Sequence, residues 1–218
     1  MIAMEISAII PTLNAATTLP GTLAALGNVG EIIVVDGGST DRTREQAEAS
    51  GACVLTAPRG RGTQLTAGIA AATHPWLLLL HADTALSANW RAAASIATTH
   101  AGYFRFVLDS PDPRARRLER LVAWRSRVLG LPYGDQGLLI HRDLLRTVGG
   151  MKPLPLMEDV DLVRRLGRTR LVSLPADAIT SARKWEAQGY LRRSARNLLC
   201  LSLWCAGMSP DKILRIYG

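Results

Sequence analysis

Trp76-Leu-Leu-Leu-Leu-His-Ala-Asp-Thr84 decides the fold: five apolar residues run straight into a small polar cluster. The run is too short for a membrane span and shows no polar alternation, so it predicts a central strand buried on both faces. In an open α/β sheet the ligand sits at the carboxyl ends of the strands. That rule puts the first polar residues after the run, His81 and Asp83, at a site. A carboxylate there suits a divalent cation held against phosphate, because Mg²⁺ and Mn²⁺ take oxygen ligands and share substrate phosphates. The alternative is that Asp83 or Ser87 caps the following helix.

Outward from this strand, βαβ units repeat. Glu5–Ile10 reads as a strand ended by Pro11, and Asn14 as the cap of a helix to Leu26 with Pro20 near its first turn. Glu31–Asp36 is a β-branched strand, Gly37–Asp41 a tight turn into a helix, Ala52–Thr56 a strand, and Arg61–Ala72 a helix. Beyond a helix over Ser87–Thr98 the rhythm changes. A strand at Tyr103–Leu108, a basic helix to Leu129, a short strand at Leu138–His141, and helices to Val148 and over Met157–Leu166 follow. Two short strands, Arg170–Leu174 and Ala178–Ser181, precede a helix over Gln188–Cys205 and a last one over Asp211–Tyr217. The fold class is therefore α/β with a mostly parallel central sheet flanked by helices and a helical C-terminal tail.

The 218 residues suffice for one sizeable core, and 48% hydrophobic with 20% charged residues is ordinary for a folded domain. A net charge of +8 favours an anionic partner, a nucleotide or an anionic membrane surface. Aromatic residues make up only 5%, which argues against a nucleic-acid partner read through stacking. Cys53, Cys200 and Cys205 form neither a C-x-x-C pair nor a zinc spacing, so reduced thiols and a cytoplasmic location are expected. No basic region precedes the N-terminal apolar residues, so no signal peptide is expected.

Several polar groups could do chemistry. Asp36 ends a strand where acids commonly receive ribose hydroxyls, yet Pro11-Thr-Leu-Asn-Ala-Ala16 has no glycine, which excludes a G-x-G-x-x-G dehydrogenase. Pro58-Arg-Gly-Arg-Gly62 before a helix suits a diphosphate, or is a solvated basic loop. Glu158 and Asp159 are either a general base and its neighbour or first-turn acids favoured by the helix dipole. Arg183 is either a phosphate ligand or a surface residue. In the tail, Leu191, Ala195, Leu198 and Leu199 form one stripe away from Arg192, Arg193 and Arg196. That stripe predicts packing on the helix's own domain, with peripheral contact at the inner membrane face as the alternative.

Taken together, Pro11–Asn14, Val34–Asp41, Pro58–Arg61, Leu80–Thr84, Gly130–Gly137, Pro155–Asp161 and Thr180–Trp185 resemble, in order and spacing, the family 2 glycosyltransferases of GT-A fold. The likeness extends to the subgroup named for arsenosugar biosynthesis. It implies one GT-A domain over 1–218, with a nucleotide-binding half (1–100), an acceptor-side half (101–187) and C-terminal helices (188–218). It implies an inverting transfer of sugar from a nucleoside-diphosphate sugar to an unknown acceptor hydroxyl, assisted by Mn²⁺ or Mg²⁺.

By the same resemblance, Pro11, Thr12, Asn14, Asp36, Gly38, Ser39, Asp41, Arg59, Arg61, Gly62, His81 and Ala82 lie around the nucleotide. Asp83 binds the metal, with His81 standing where the family has the first Asp of D-x-D. Asp159 is the base beside Glu158, while Asp135, Gln136, Arg183 and Trp185 face acceptor or phosphate. Asp36, Asp83 and Asp159 should then converge around one cation and the leaving nucleotide. The rival readings are a nucleotidyltransferase that makes a sugar nucleotide and a non-catalytic basic binding module.

Overall fold

The computed structural model describes residues 4–217, so the part of the leader reading that rests on residues 1–3 lies outside it. The chain runs β1 (Ile6–Thr12), α1 (Leu19–Leu26), β2 (Glu31–Asp36), α2 (Thr43–Ala49), β3 (Cys53–Thr56), α3 (Arg61–Ala71) and β4 (Trp76–Leu79). Then come β5 (Thr84–Leu86), α4 (Trp90–Ala94), β6 (Ala101–Leu108), α5 (Pro113–Leu129), β7 (Leu138–His141) and α6 (Arg142–Thr147). The remaining elements are α7 (Glu158–Leu166), β8 (Leu171–Thr180), α8 (Arg183–Gln188), α9 (Tyr190–Cys205) and α10 (Pro210–Tyr217).

One eight-stranded sheet of order β3-β2-β1-β4-β7-β6-β8-β5 runs through both halves of the chain. It is mixed: β3, β2, β1 and β4 are parallel, whereas β7 is antiparallel to both β4 and β6. Leu77, Leu78, Leu79 and Leu80 are all buried, Leu78 and Leu80 on one face of the sheet and Leu77 and Leu79 on the other. The unbroken apolar run therefore reflects a strand with two covered faces. Burial on both sides leaves the strand end as the place where His81 and Asp83 meet solvent.

The structure corrects several expected boundaries. β1 continues through Pro11 to Thr12, paired with β2. Its ladder to β4 has already ended at Ile9, so the missing N–H of Pro11 breaks no bond on that side. α1 starts at Leu19, with Pro20 in its first turn as expected. Asn14 caps nothing: its φ is +49° and its side-chain oxygen accepts the Thr40 N–H at 2.9 Å. Residues 84–86 form a strand that the sequence reading did not include, β5 on β8, held by a Thr84–Thr180 hydroxyl pair 2.9 Å apart, and the helix expected over Ser87–Thr98 is confined to Trp90–Ala94. Asp83 caps no helix either, because α4 begins only at Trp90. The two short strands after Arg170 are one strand, β8, whose register against β6 shifts where it passes Pro175.

Gly62 illustrates how packing dictates a glycine. A Cβ there would lie 2.5 Å from Leu154 O and 2.7 Å from Lys152 O, so α3 meets the 152–154 loop backbone to backbone. We expect Gly62→Ala to cost about 1–3 kcal/mol, the usual range for overpacking. Thermal unfolding should fall by about 4–8 °C for a loss of about 2 kcal/mol; an unchanged midpoint would contradict the packing.

Candidate active site

Asp83, His81, Asp135, Asp159, Arg61 and Lys184 open into one hollow. It lies at the carboxyl end of β4, where an open α/β sheet places its ligand. Asp159 is held at both oxygens: Oδ2 accepts the Gly134 N–H at 2.7 Å and Oδ1 the Val160 N–H at 2.7 Å. Gly134 is pinned between functional groups, since a Cβ there would sit 2.6 Å from His81 Nε2 and 3.2 Å from Asp159 Oδ2.

Asp159 and Glu158 point to different places although they are neighbours. Met157, with φ +66°, turns the chain into α7 so that Glu158 goes inward. Glu158 is 1% exposed with its Oε1 2.8 Å from Arg61 Nε, while the Arg61 side chain is 41% exposed. Among the described residues neither Glu158 oxygen receives a well-angled hydrogen bond. Glu158 therefore anchors Arg61 from the interior and is not among the residues that line the hollow. Arg61 lines the hollow.

Burial pushes the Glu158 carboxyl up to about 7, against the opposing pull of Arg61 and with help from Asp159. The folded chain thus holds this proton more tightly than the unfolded one, whose ordinary value is 4.5. The resulting stabilisation, about 3 kcal/mol by linkage, is complete below pH ~4.5 and is lost as pH rises through about 7. Glu158→Gln should flatten that part of the stability profile and raise stability at pH 8, because the half-exposed Arg61 stays solvated. Urea unfolding at pH 5 and pH 8 checks this; an unaltered slope would exclude Glu158 as its source.

His81 is pushed down to about 4, first by burial and then by the Arg61 charge, with Asp83 and Asp159 pulling the other way. It is neutral near pH 7 and offers one N–H and one lone pair. Asp135 is pushed up to about 6, first by burial, with Asp159 and Asp83 adding to it and Arg125 opposing. Its Oδ1 is buried with no hydrogen-bond partner among the described residues. Asp83 Oδ2 is 3.4 Å from Lys184 Nζ. A hollow walled by three carboxylates, one with an orphaned oxygen, fits a hard cation. Among the described residues no three His, Cys, Asp or Glu side chains converge at ligand spacing. Such a cation would be held by one or two carboxylates, chiefly Asp83, plus oxygens of a bound phosphate, the usual manner for Mg²⁺.

Asp36 does not join the other acids. It is buried two strands from β4, about 10 Å across the sheet, and its carboxylate accepts the Gly38 and Ser39 N–H groups at 3.1 and 3.0 Å. Its other oxygen takes the Ser39 hydroxyl at 2.5 Å and, at 3.4 Å, that of Thr12. Asn14 N–H donates to Ser39 Oγ, and Asp41 accepts from Ala16 N–H and Thr43, so the loops after β1 and β2 are laced together. Asp83 and Asp159 thus share the hollow, while Asp36 lies outside its lining, its carboxylate taken up by the turn after β2.

Other expected residues are engaged elsewhere. Ala82 accepts the Thr22 hydroxyl at 3.1 Å through its carbonyl, and Arg59 is exposed. Gly62 supports the 152–154 loop and is not a bare approach point for phosphate. Gln136 is buried and accepts the Ser126 hydroxyl at 2.8 Å while donating to Phe104 O at 3.0 Å. It therefore holds its own loop from inside the core. Arg183 reaches Thr17 Oγ1 at 3.3 Å, and Trp185 lines the hollow while stacked on Tyr190.

Sequence reasoning missed several contributors. Gln64 is buried and its amide donates to Thr12 O and Val35 O at 2.8 and 2.7 Å, tying the ends of β1 and β2 together. Lys184, next to the quoted Arg183, faces Asp83. Arg193 and Asn197, one turn apart on α9, line the far wall of the hollow with Tyr217. Their i, i+4 spacing was the available signal. The apolar stripe of α9 faces outward instead of packing on the domain, with Leu191, Leu198 and Leu199 exposed.

An uncharacterized glycosyltransferase of Mycobacterium tuberculosis is 38% identical over 85 residues, which cover 38% of this chain and 39% of that relative. The match thus spans about two fifths of the curated relative's length. A crystal structure of glucosyl-3-phosphoglycerate synthase from M. tuberculosis with Mg²⁺ and uridine diphosphate shares the fold: TM-score 0.65 at 21% identity, over 94% of this chain and 80% of that one. The same enzyme with Mn²⁺ and UDP-glucose gives TM-score 0.64 at 19% identity, with the same coverage. Residues 7–94, from β1 to α4, match Glycosyl transferase family 2. That stretch is similar to Glycosyl transferase family 2, and the chain shares with the mycobacterial enzyme an α/β fold with a mixed central sheet flanked by helices.

Proposed function

We propose that the protein is an inverting glycosyltransferase that moves a sugar from a nucleoside-diphosphate sugar to an acceptor hydroxyl. The observation that carries this reading is that Asp83 and Asp159 open into the same hollow, with Arg61 and Lys184 beside them. Asp159, aimed by the Gly134 and Val160 N–H groups, takes the proton of the acceptor hydroxyl. The hydroxyl oxygen bonds to the anomeric carbon from the face opposite the nucleotide. The bond from that carbon to the diphosphate oxygen breaks, and the nucleoside diphosphate leaves with the electron pair. Arg61 and Lys184 place positive charge where the departing diphosphate gains negative charge. Asp83 would hold a Mn²⁺ or Mg²⁺ ion, whose chemistry is to neutralise the diphosphate. His81, neutral, is a lone-pair ligand or hydrogen-bond partner beside it.

The laced loops at Asn14, Asp36, Ser39 and Asp41 support a role in shaping the base and ribose pocket, with Asp36 acting through its turn. The glucosyl-3-phosphoglycerate synthase complexes make uridine-diphosphate sugars the first donors to try.

A panel of UDP-, GDP- and dTDP-sugars with Mn²⁺ or Mg²⁺ tests the reading: release of nucleoside diphosphate supports it. Release of pyrophosphate from a nucleoside triphosphate plus sugar phosphate would instead favour the nucleotidyltransferase. The loop after β1 speaks against that rival, since it has no glycine before Gly21. Tight donor binding without turnover across a broad acceptor panel would leave only a binding module.

A further inference from the structure

The 17 residues of α5 carry six arginines and one acid. Asp112 caps the helix by accepting the Arg114 N–H at 2.7 Å, and Ala115, Val122 and Ser126 face the interior. At 100° per residue, the opposite face gathers Leu121, Trp124 and Val128, spaced i, i+3 and i+7. These are not buried: Leu121 is 64% exposed and Trp124 56%, and Val128 is exposed as well. Arg117, Arg120 and Arg127 are exposed on the same face. Among the described residues none of the three has an ion-pair partner. Exposed large apolar side chains fenced by unpaired arginines are costly to leave in water together.

We infer that this outer face of α5 docks on the surface of an anionic lipid bilayer. Trp124 and its apolar neighbours suit the boundary between headgroups and acyl chains, and the arginines suit lipid phosphates. Charge decides against a second copy of this chain as the occupant: face on face would set three unpaired guanidinium groups against three. No described helix is long and apolar enough to cross a membrane, so contact of this kind is peripheral.

The inner side of the same helix holds the site loop. Ser126 donates to Gln136 at 2.8 Å, Arg125 Nε to Leu131 O at 2.9 Å, and the Arg125 guanidinium lies 3.4 Å from the Tyr133 ring centre. Docking therefore brings the loop bearing Gly134 and Asp135 to about one helix diameter from the lipid headgroups. This inference goes beyond the proposed transfer and does not depend on it.

Sedimentation with vesicles tests it without any sugar nucleotide. The full chain should pellet with phosphatidylcholine vesicles containing about 30 mol % phosphatidylglycerol, but weakly with phosphatidylcholine alone. Replacing Arg117, Arg120 and Arg127 together by Gln should lower partitioning on the order of a hundredfold. Trp124→Ser with Leu121→Ser should lower it roughly tenfold or more. All five positions are exposed, and far-ultraviolet circular dichroism verifies that each variant folds. Failure of the wild type to pellet with anionic vesicles would overturn the inference, as would undiminished pelleting of either variant. A dimer in light scattering that Trp124→Ser dissolves, without vesicle binding, would assign the face to a second copy and also overturn it. Because binding is read alone, a negative result here leaves the transferase reading standing, and the reverse holds too.

Discussion

Asp159→Asn lowers sugar transfer about a hundred- to ten-thousandfold, the usual contribution of a general base, while donor affinity stays close to wild type. The amide is nearly isosteric with the carboxylate but has little basicity, so it fills the space without accepting the acceptor proton. Both Asp159 oxygens accept backbone N–H groups, from Gly134 and Val160. The amide must turn its NH₂ toward one of these donors, which costs a hydrogen bond. Thermal unfolding of the variant therefore accompanies the kinetics, so that lost fold and lost base are told apart. Asp159 lies on the wall of the hollow, and Arg61, Lys184 and Asp83 remain in place for the donor. Turnover at the wild-type rate would remove Asp159 as the base.

Asp83→Ala has the second large effect, and it acts on the donor. Asp83 meets solvent at the end of the β4 region with Lys184 Nζ 3.4 Å away. That exposed ion pair is a weak interaction by itself, so the fold should survive the substitution. Calorimetric titration of a uridine-diphosphate sugar should show affinity that depends on Mn²⁺ or Mg²⁺ in the wild type. In the variant we expect that dependence to fall about a hundredfold or more, since even outer-shell partners of a metal matter ten- to a hundredfold. With a chelator present the two proteins should bind alike. An identical metal-dependent affinity in both would take Asp83 out of the cation site.

Where the sequence carried the answer, it did so through local physics. The Trp76–Leu80 run, the β-branched Glu31–Asp36 strand and the Arg61 helix start are each readable because burial on two faces, side-chain branching and turn chemistry act within a few residues. Pairing partners far along the chain decide the rest. Thr84–Leu86 is a strand only because β8 lies beside it, and β8 stays whole past Pro175 only because β6 accommodates a shifted register.

The site shows the same division. Its place at a strand end pointed to Asp83 and the family resemblance to Asp159, and the fold brings both to one hollow. Nothing in Glu158-Asp159 as letters says which carboxylate turns inward; that follows from the left-handed backbone at Met157 and from the Arg61 side chain waiting inside. Asp36 looked like a third member of the cluster because acids at strand ends often are. The turn at Gly38 and Ser39 claims it instead. The contribution of α9 was hidden because its apolar stripe suggested that the packed side was Leu191 and Leu198. The chain instead turns Arg193 and Asn197 inward, toward the hollow.

A crystal of this protein grown with uridine diphosphate and Mn²⁺, with data collected for the manganese anomalous signal, tests the central claim most directly. The account predicts one manganese peak about 2.1 Å from an Asp83 carboxylate oxygen, a distance typical of small hard cations. The diphosphate should bridge that ion toward Arg61 and Lys184, with Asp159 across a gap wide enough for a sugar. Nucleotide and manganese bound on another surface, with the hollow between Asp83 and Asp159 left empty, would contradict it.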